Sequence, residues 1–447
     1  MAEGASRGSF LARWERFWFG EASLVRLALF RIVMLAAAFD GVWVVRKAVF
    51  QHAAGLESEF AKAHWRPIYA FELLGLAPPD LATARVAWVV ILAAIVLGIL
   101  GVFTRAACAV AALGTFLWVG TEYSFGKPHH TCVALVFGLF ALPLAPVGAR
   151  LSLESWWRRR RAARAGGDPL AVPERAPWAA LPLRLTQLTI ACGYFFSGVT
   201  KLAISGLGWA NGYTLMGIMV EYRSPWSHHF YASPPLLVLM SVGLLCGQIG
   251  FPLAFLGTFF RWVFVPIAVL FHVMAMKTMG TGTFLTLWLT LSSFVALERI
   301  PAVLMRLVGG GPVWRRVLVA GAFGTGAWLT LAIYVGNKPG WMAWLCLPVG
   351  IVLLLAALPR LLAPIELAYD PRSGAARAAA ATLAALDWAH RLRLVPIGPG
   401  TGAPSVLALA ARLPLGLVAL PFLPALRGAL AQPSPGISQP SRTGEER

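Results

Sequence analysis

Lys201 closes an otherwise apolar segment, YFFSGVTKLAISGLGW (Tyr194 to Trp209), where a charge is costly unless it has a role. An ammonium beside hydrocarbon reaches back to the headgroups, finds a partner or loses its proton, and the third outcome makes a lysine a base. Two more nitrogen-bearing clusters sit in comparable places. His129 and His130 open one apolar run, and His272 with Lys277 lies toward the end of another. Singly, each has a plain explanation: a helix-end lysine snorkels, and a histidine on an apolar helix bonds a carbonyl in the core. Ionisable groups that meet at one membrane depth instead suggest a shared pocket capable of proton transfer.

The elements that must position them are membrane helices. Of the 447 residues, 58% are hydrophobic and only 13% charged, half of what a soluble domain carries, and the mean hydropathy is +0.70. Apolar runs near the ~20 residues needed to cross a bilayer recur along the chain. They lie near 24–45, 84–103, 106–121, 129–147, 183–202, 235–257, 261–277, 281–297, 316–335 and 341–362, so an all-α polytopic membrane protein of about ten transmembrane helices is expected.

The net charge of +19 does not point to nucleic acid. Its arginines collect in short loops beside spans, above all 148–182 (Arg150, Arg158 to Arg161, Arg164, Arg175) and 298–316 (Arg299, Arg306, Arg315, Arg316). Such loops normally face the cytoplasm. This predicts a multi-pass protein of the cell (inner) membrane with both termini cytoplasmic, and it places Lys201 and the histidines together at the non-cytoplasmic level.

Residues 1–23, with Trp14, Phe17, Trp18 and Phe19, read as an interfacial segment without a cleavable signal. Residues 24–365 hold the spans. Within them 47–83 reads as a long external loop rich in aromatics, and 154–182, with its Gly and Pro residues, as a mobile linker. From 366 to 431 the pattern changes to a strand, an Ala-rich helix and a second strand, a small cytoplasmic α/β appendage, and 432–447 reads as a disordered tail. The five cysteines (108, 132, 192, 246, 346) fall in spans without a Cys-x-x-Cys pair and read as small core residues. No metal site is predicted, since methionines spaced like Met276 and Met279 near His272 are usually core filling.

The run YFFSGVTKL, followed by Gly208-Trp209 and Gly212-Tyr213, resembles the stretch that carries the catalytic lysine of vitamin K-dependent γ-carboxylases and of the broader horizontally transferred transmembrane (HTTM) domain proteins. ALFRIVMLAAAFDG (Ala28 to Gly41), KPHHTCVALVFGLFALPLAP (Lys127 to Pro146), LSLESW (Leu151 to Trp156) and FHVMAMKTMGTGTF (Phe271 to Phe284) follow in the family's order, over about positions 20 to 300. YDPRSGAARAAAATLAALDWAHRL is similar to the thioredoxin-like DCC domains often joined to such regions, but Ser373 to Ala376 stand where those domains have their cysteine pair, so no thiol chemistry is expected of it.

The resemblance implies a quinol-dependent carboxylase/oxygenase-like enzyme, of the lyase (carboxylase–epoxidase) class. Lys201 would be the general base acting on a reduced naphthoquinone of the vitamin K or menaquinol type, with His130 and His272 as pocket histidines, His130 steadying a developing oxyanion and His272 donating to the ring. His129, Trp209, Gly212 and Tyr213 would line the ligand's site. A protein or small-molecule substrate would approach from the non-cytoplasmic side, although the large domain that holds the protein substrate in the animal enzyme has no counterpart here. The paired lysines of the family are also reduced here to Thr200-Lys201. The alternative is a non-catalytic membrane protein that binds quinone or lipid or scaffolds a partner. A transporter fits less well, for lack of an internal inverted repeat and of intramembrane acids other than Asp40.

Overall fold

Apolar helices with deliberate caps build most of the chain. A computed structural model describes residues 10–126, 130–166, 173–222, 224, 226–279, 285–300, 302–303, 365–386 and 392–396. Helix α1 (Phe10–Phe19) leaves Phe10, Leu11 and Trp14 exposed, as an interfacial helix would. Helix α2 (Leu24–Ala54) starts where the Ser23 hydroxyl accepts from the Arg26 amide at 3.2 Å, and at 31 residues it outruns the ~30 Å hydrocarbon core. The loop expected from 47 therefore begins later. It folds as α3 (Glu59–His64) and α4 (Tyr69–Leu73), with Phe71 buried against Phe116.

Helix α5 (Leu81–Leu100) is capped by Asp80, whose carboxylate accepts from the Thr83 amide at 2.7 Å, a bond that holds this carboxyl below the usual carboxylate range. Gly101 ends it in the left-handed region (φ 73°), where any Cβ would lie 2.2 Å from that of Ser152. Helix α6 (Thr104–Phe125) returns beside it. Further along come α7 (Val133–Ala141), α8 (Leu153–Arg164), α9 (Leu181–Ser205), α10 (Tyr213–Tyr222), α11 (Ser227–Tyr231), α12 (Pro234–Gly250), α13 (Thr258–Met279) and α14 (Leu285–Leu291).

Among the described residues, six helical segments are long and apolar enough to cross a membrane: Leu24–Ala54, Leu81–Leu100, Thr104–Phe125, Leu181–Asn211, Pro234–Phe255 and Thr258–Thr278. Their outer faces leave Val86, Val89, Val96, Leu239, Trp262 and Leu270 exposed, a surface suited to lipid rather than water. Two other expected spans are shorter than a crossing. Over 129–147 the apolar helix runs only from Val133 to Leu144, because Pro143 turns its last residues into a 3₁₀ turn, and at ~1.5 Å per residue it reaches roughly 18 Å. Over 281–297, α14 has 7 residues before a 3₁₀ turn at Ser292–Phe294. Both pack inside, against α2 and α9. The expected spans 316–335 and 341–362 lie outside the described residues, as does the tail 432–447.

The core of this membrane unit gathers Phe30, Met34, Leu35 and Val42 of α2 with Ile91, Ile95, Cys108, Ala111, Leu135 and Leu139. A second cluster joins Ile190, Phe251, Ala268, Leu291 and Phe294. Of the cysteines expected in the core, Cys108 and Cys132 are buried, Cys192 is half-buried and Cys246 is exposed on α12; Cys346 lies outside the described residues. Arg31, wholly buried, is a clasp: its guanidinium donates to the carbonyls of Val147 and Leu151, each at 2.6 Å, and of Ile99 at 3.4 Å. Nearby, the strand pair β1 (Ala22–Ser23) and β2 (Arg175–Ala176) joins the start of α2 to the approach of α9. One end of the bundle thus carries Arg26, Arg31 and the start of α9, and the alternation of helices puts His130, Lys201 and Lys277 toward the other.

A second unit comprises residues 155–172 with parts of the chain from 301 onward. Strands β3 (Ile365–Tyr369) and β4 (Leu392–Pro396) are parallel, Ile365 opposite Leu392 through Tyr369 opposite Pro396, and α15 (Gly374–Leu386) connects them. This is the β-α-β arrangement expected of the appendage. Ser373 caps α15 by accepting from the Ala376 amide at 3.2 Å. The expected linker at 154–182 is instead helical over Leu153–Arg164. Arg and Ala are good helix formers, and α8 buries Ser155, Arg159 and Ala163 at four-residue spacing, while Trp156 donates to Thr382 (3.0 Å) and Arg377 to the Ala163 carbonyl (2.8 Å).

Candidate functional site

Helix α9 organises the site because its sequence places small, hydroxyl and aromatic side chains on one stripe. Thr189, Gly193 and Ser197 recur every four residues, and Tyr194, Ser197 and Lys201 follow at three and four, so all share a face. That face borders a cavity of about 280 Å³. The turn before α7 contributes His130, α12 contributes Gln248, α13 contributes Phe271 and His272, and α14 contributes Leu287. Val133, Ala134 and Ile190 complete its apolar wall.

The polar groups of the cavity are held in definite roles. His272, 2% exposed, has Nδ1 at 2.8 Å from the Ala268 carbonyl, and a carbonyl only accepts. Nδ1 therefore carries a hydrogen and donates to that carbonyl. The Tyr194 hydroxyl lies 3.2 Å from the same Nδ1, and its ring stacks on Phe251 at 4.5 Å, which fixes both aromatic planes. The Thr189 hydroxyl donates to the Leu185 carbonyl at 2.9 Å and so meets the cavity as an acceptor. Gln248 is 4% exposed, and its Oε1 has no hydrogen-bond partner among the described residues. A buried amide oxygen left this way is costly until a donor reaches it.

Lys201 sits one step further along α9. Its Nζ donates to Ser197 Oγ at 2.8 Å and to the Ser197 carbonyl at 3.2 Å, and lies 5.5 Å from the centre of the Trp209 ring. It lines a separate, more open pocket of about 450 Å³ with Phe196, Thr200, Ile204 and Thr214. Ser197 borders both spaces.

His130 and His272, from different helices, thus meet in one cavity, and Lys201 adjoins it through Ser197 rather than entering it. Trp209 is buried beneath the amine. Gly212 and Tyr213 line neither space. Gly212 (φ 87°) brings its turn onto α12, where a Cβ would lie 2.9 Å from Leu237 Cβ, and Tyr213 is 72% exposed. His129 lies outside the described residues. Asp40, the acid of the first span, accepts from the Thr286 hydroxyl at 2.9 Å. Among the described residues no three His, Cys, Asp or Glu side chains converge as metal ligands would.

Tyr194, Thr189 and Gln248 escaped sequence reasoning. The four-residue stripe was a readable signal for the first two; for Gln248, a polar amide in an otherwise apolar helix was the only one. Compared with models of protein families, with curated proteins and with solved structures, the chain matches none.

Proposed function

We propose that this integral membrane protein holds a reduced naphthoquinone in the cavity bordered by α9, α12, α13 and α14, and that Lys201 acts as its base in the manner of vitamin K-dependent γ-carboxylases. One observation carries the reading: His130, Tyr194, Gln248 and His272 surround a single space that shares Ser197 with the pocket of Lys201. The size suits a small flat ring, since the cavity falls at the lower edge of the roughly 300–1,000 Å³ typical of ligand sites. The orphaned Gln248 oxygen fits a hydroxyl-bearing ligand.

When bound, the quinol supplies a hydroxyl whose deprotonation makes the ring reactive toward oxygen. Gln248 Oε1 accepts from one ring hydroxyl and orients it, His272 walls the same space, and Tyr194, packed on Phe251, fixes the plane of His272. The other hydroxyl would give its proton to Ser197 Oγ as the hydrogen of Ser197 passes to the neutral Lys201 amine, the partner that Oγ already has. Apolar walls from Val133, Ile190 and Leu287 limit water. Carbon dioxide and a substrate on the side of Lys201 would complete a carboxylase/oxygenase of the HTTM class.

A second reading, a non-catalytic quinone- or lipid-binding protein, is favoured by one contact set: the amine of Lys201 is engaged by Ser197 and Trp209 outside the cavity. Mass spectrometry of quinone co-purified with the protein, followed by quinol-dependent oxygen uptake, separates the two. Lys201→Ala should keep the bound quinone and abolish uptake, and Lys201→Arg should also fail because a guanidinium stays protonated. His272→Ala should lose the quinone itself. Uptake unchanged by either lysine substitution removes Lys201 from the reaction.

A further inference from the structure

The exposed side of α8 borders neither space of the candidate site. Ser155, Arg159 and Ala163 are turned inward, and the remaining faces present Trp157, 69% exposed, and Arg161 and Arg164, also exposed. Trp157, Arg161 and Arg164 fall at i, i+4 and i+7, one stripe of the helix. With Trp156 and Arg160 they line a groove of about 600 Å³, and the Arg160 guanidinium lies 5.4 Å from the centre of the Trp156 ring.

From this we infer that α8 is a binding site for the phosphate headgroup of an anionic phospholipid. Guanidinium forks match phosphate oxygens in pairs, and indole rings prefer the headgroup level of a bilayer, so arginine and tryptophan on one stripe combine charge complementarity with depth preference. The chain also tethers the start of α8 near that level. It begins nine residues after the apolar helix that ends at Leu144, and α9 enters the bilayer at Leu181. At its first turn, Glu154 accepts from the Thr104 hydroxyl at 2.9 Å, at the start of a membrane-crossing helix.

The test uses the full chain in mild detergent, titrated with phosphatidylglycerol or with phosphatidylcholine of the same acyl chains, with bound lipid counted by native mass spectrometry. The wild type should prefer phosphatidylglycerol. Each arginine near a membrane surface contributes about fivefold, so Arg160→Gln, Arg161→Gln and Arg164→Gln together should weaken phosphatidylglycerol binding by roughly a hundredfold and leave phosphatidylcholine unchanged. Arg85→Gln with Arg105→Gln, exposed elsewhere, should leave the preference intact. If the triple variant aggregates, exposed Arg161→Gln alone must still lose about fivefold. Unchanged preference in these variants overturns the proposal. So does displacement of the lipid by millimolar inorganic phosphate, which would make the groove a site for soluble phosphate.

Discussion

Gly193 offers a substitution whose effects on stability and on binding should run in opposite directions. It stands in the middle of α9, borders the cavity, and a Cβ built on it meets nothing within 4 Å. Gly193→Ala therefore adds a methyl group without a clash and removes a flexible residue from a helix interior, a gain of about 1 kcal/mol. At ~2.1 cal/mol/K of unfolding entropy per residue, that gain across a unit approaching 300 residues raises the melting temperature by roughly one to two degrees. Gly193→Leu keeps the helical gain but projects an isobutyl group into a space of only about 280 Å³, where it competes with a ring for the same volume. The expected result is a protein at least as stable as wild type that retains less than a tenth of the co-purified naphthoquinone, measured by thermal unfolding in detergent and by mass spectrometry of the extracted lipid fraction. A Leu variant that binds as much quinone as wild type would refute the assignment of the cavity. An Ala variant that melts lower would refute the claim that the wall at this point is open.

Two further outcomes test the frame that holds the site. Arg31→Met breaks two 2.6 Å bonds from a guanidinium to the Val147 and Leu151 carbonyls; at about 1.5–3 kcal/mol each, the loss is about 3–6 kcal/mol, read as a drop of several degrees or more in thermal unfolding. An unchanged midpoint would mean that the clasp is not needed. Asp80 caps α5 with its carboxyl held below the ordinary range, so its contribution is present above the unfolded value of about 3.9 and is lost as pH falls through the lower folded value. The melting-temperature gap between wild type and Asp80→Ala should therefore be constant from pH 7 to about pH 5 and shrink below pH 4, whereas a gap independent of pH would assign it to something other than the charged cap.

Much of the site was legible because a membrane leaves few options. Once a chain must cross repeatedly, parity alone places His130, Lys201 and His272 toward one end, and the structure does bring His130 and His272 to one cavity. The amine of Lys201 could not be placed in this way. Its position over Trp209 depends on the six-residue 3₁₀ segment Gly206–Asn211 folding the chain back under α9, a path that apolar periodicity does not encode. The donor and acceptor roles were equally hidden, because the tautomer of His272 follows from a carbonyl one turn earlier on its own helix, at a distance that depends on the ring's rotamer.

Composition and hydrophobic runs determined that this is a helical membrane protein, that apolar runs cover the six helices long enough to cross among the described residues, and that a strand, helix and strand follow near the C-terminus, because burial and backbone hydrogen bonding constrain those features locally. Tertiary structure alone decided that α7 and α14 stop short of a full crossing, that Arg31 ties three loop and helix-end carbonyls together, and that the basic stretch after Leu153 is a docked helix. Each of these depends on partners distant in sequence, and an apolar or basic run has the same composition whether it faces lipid, a neighbouring helix or water.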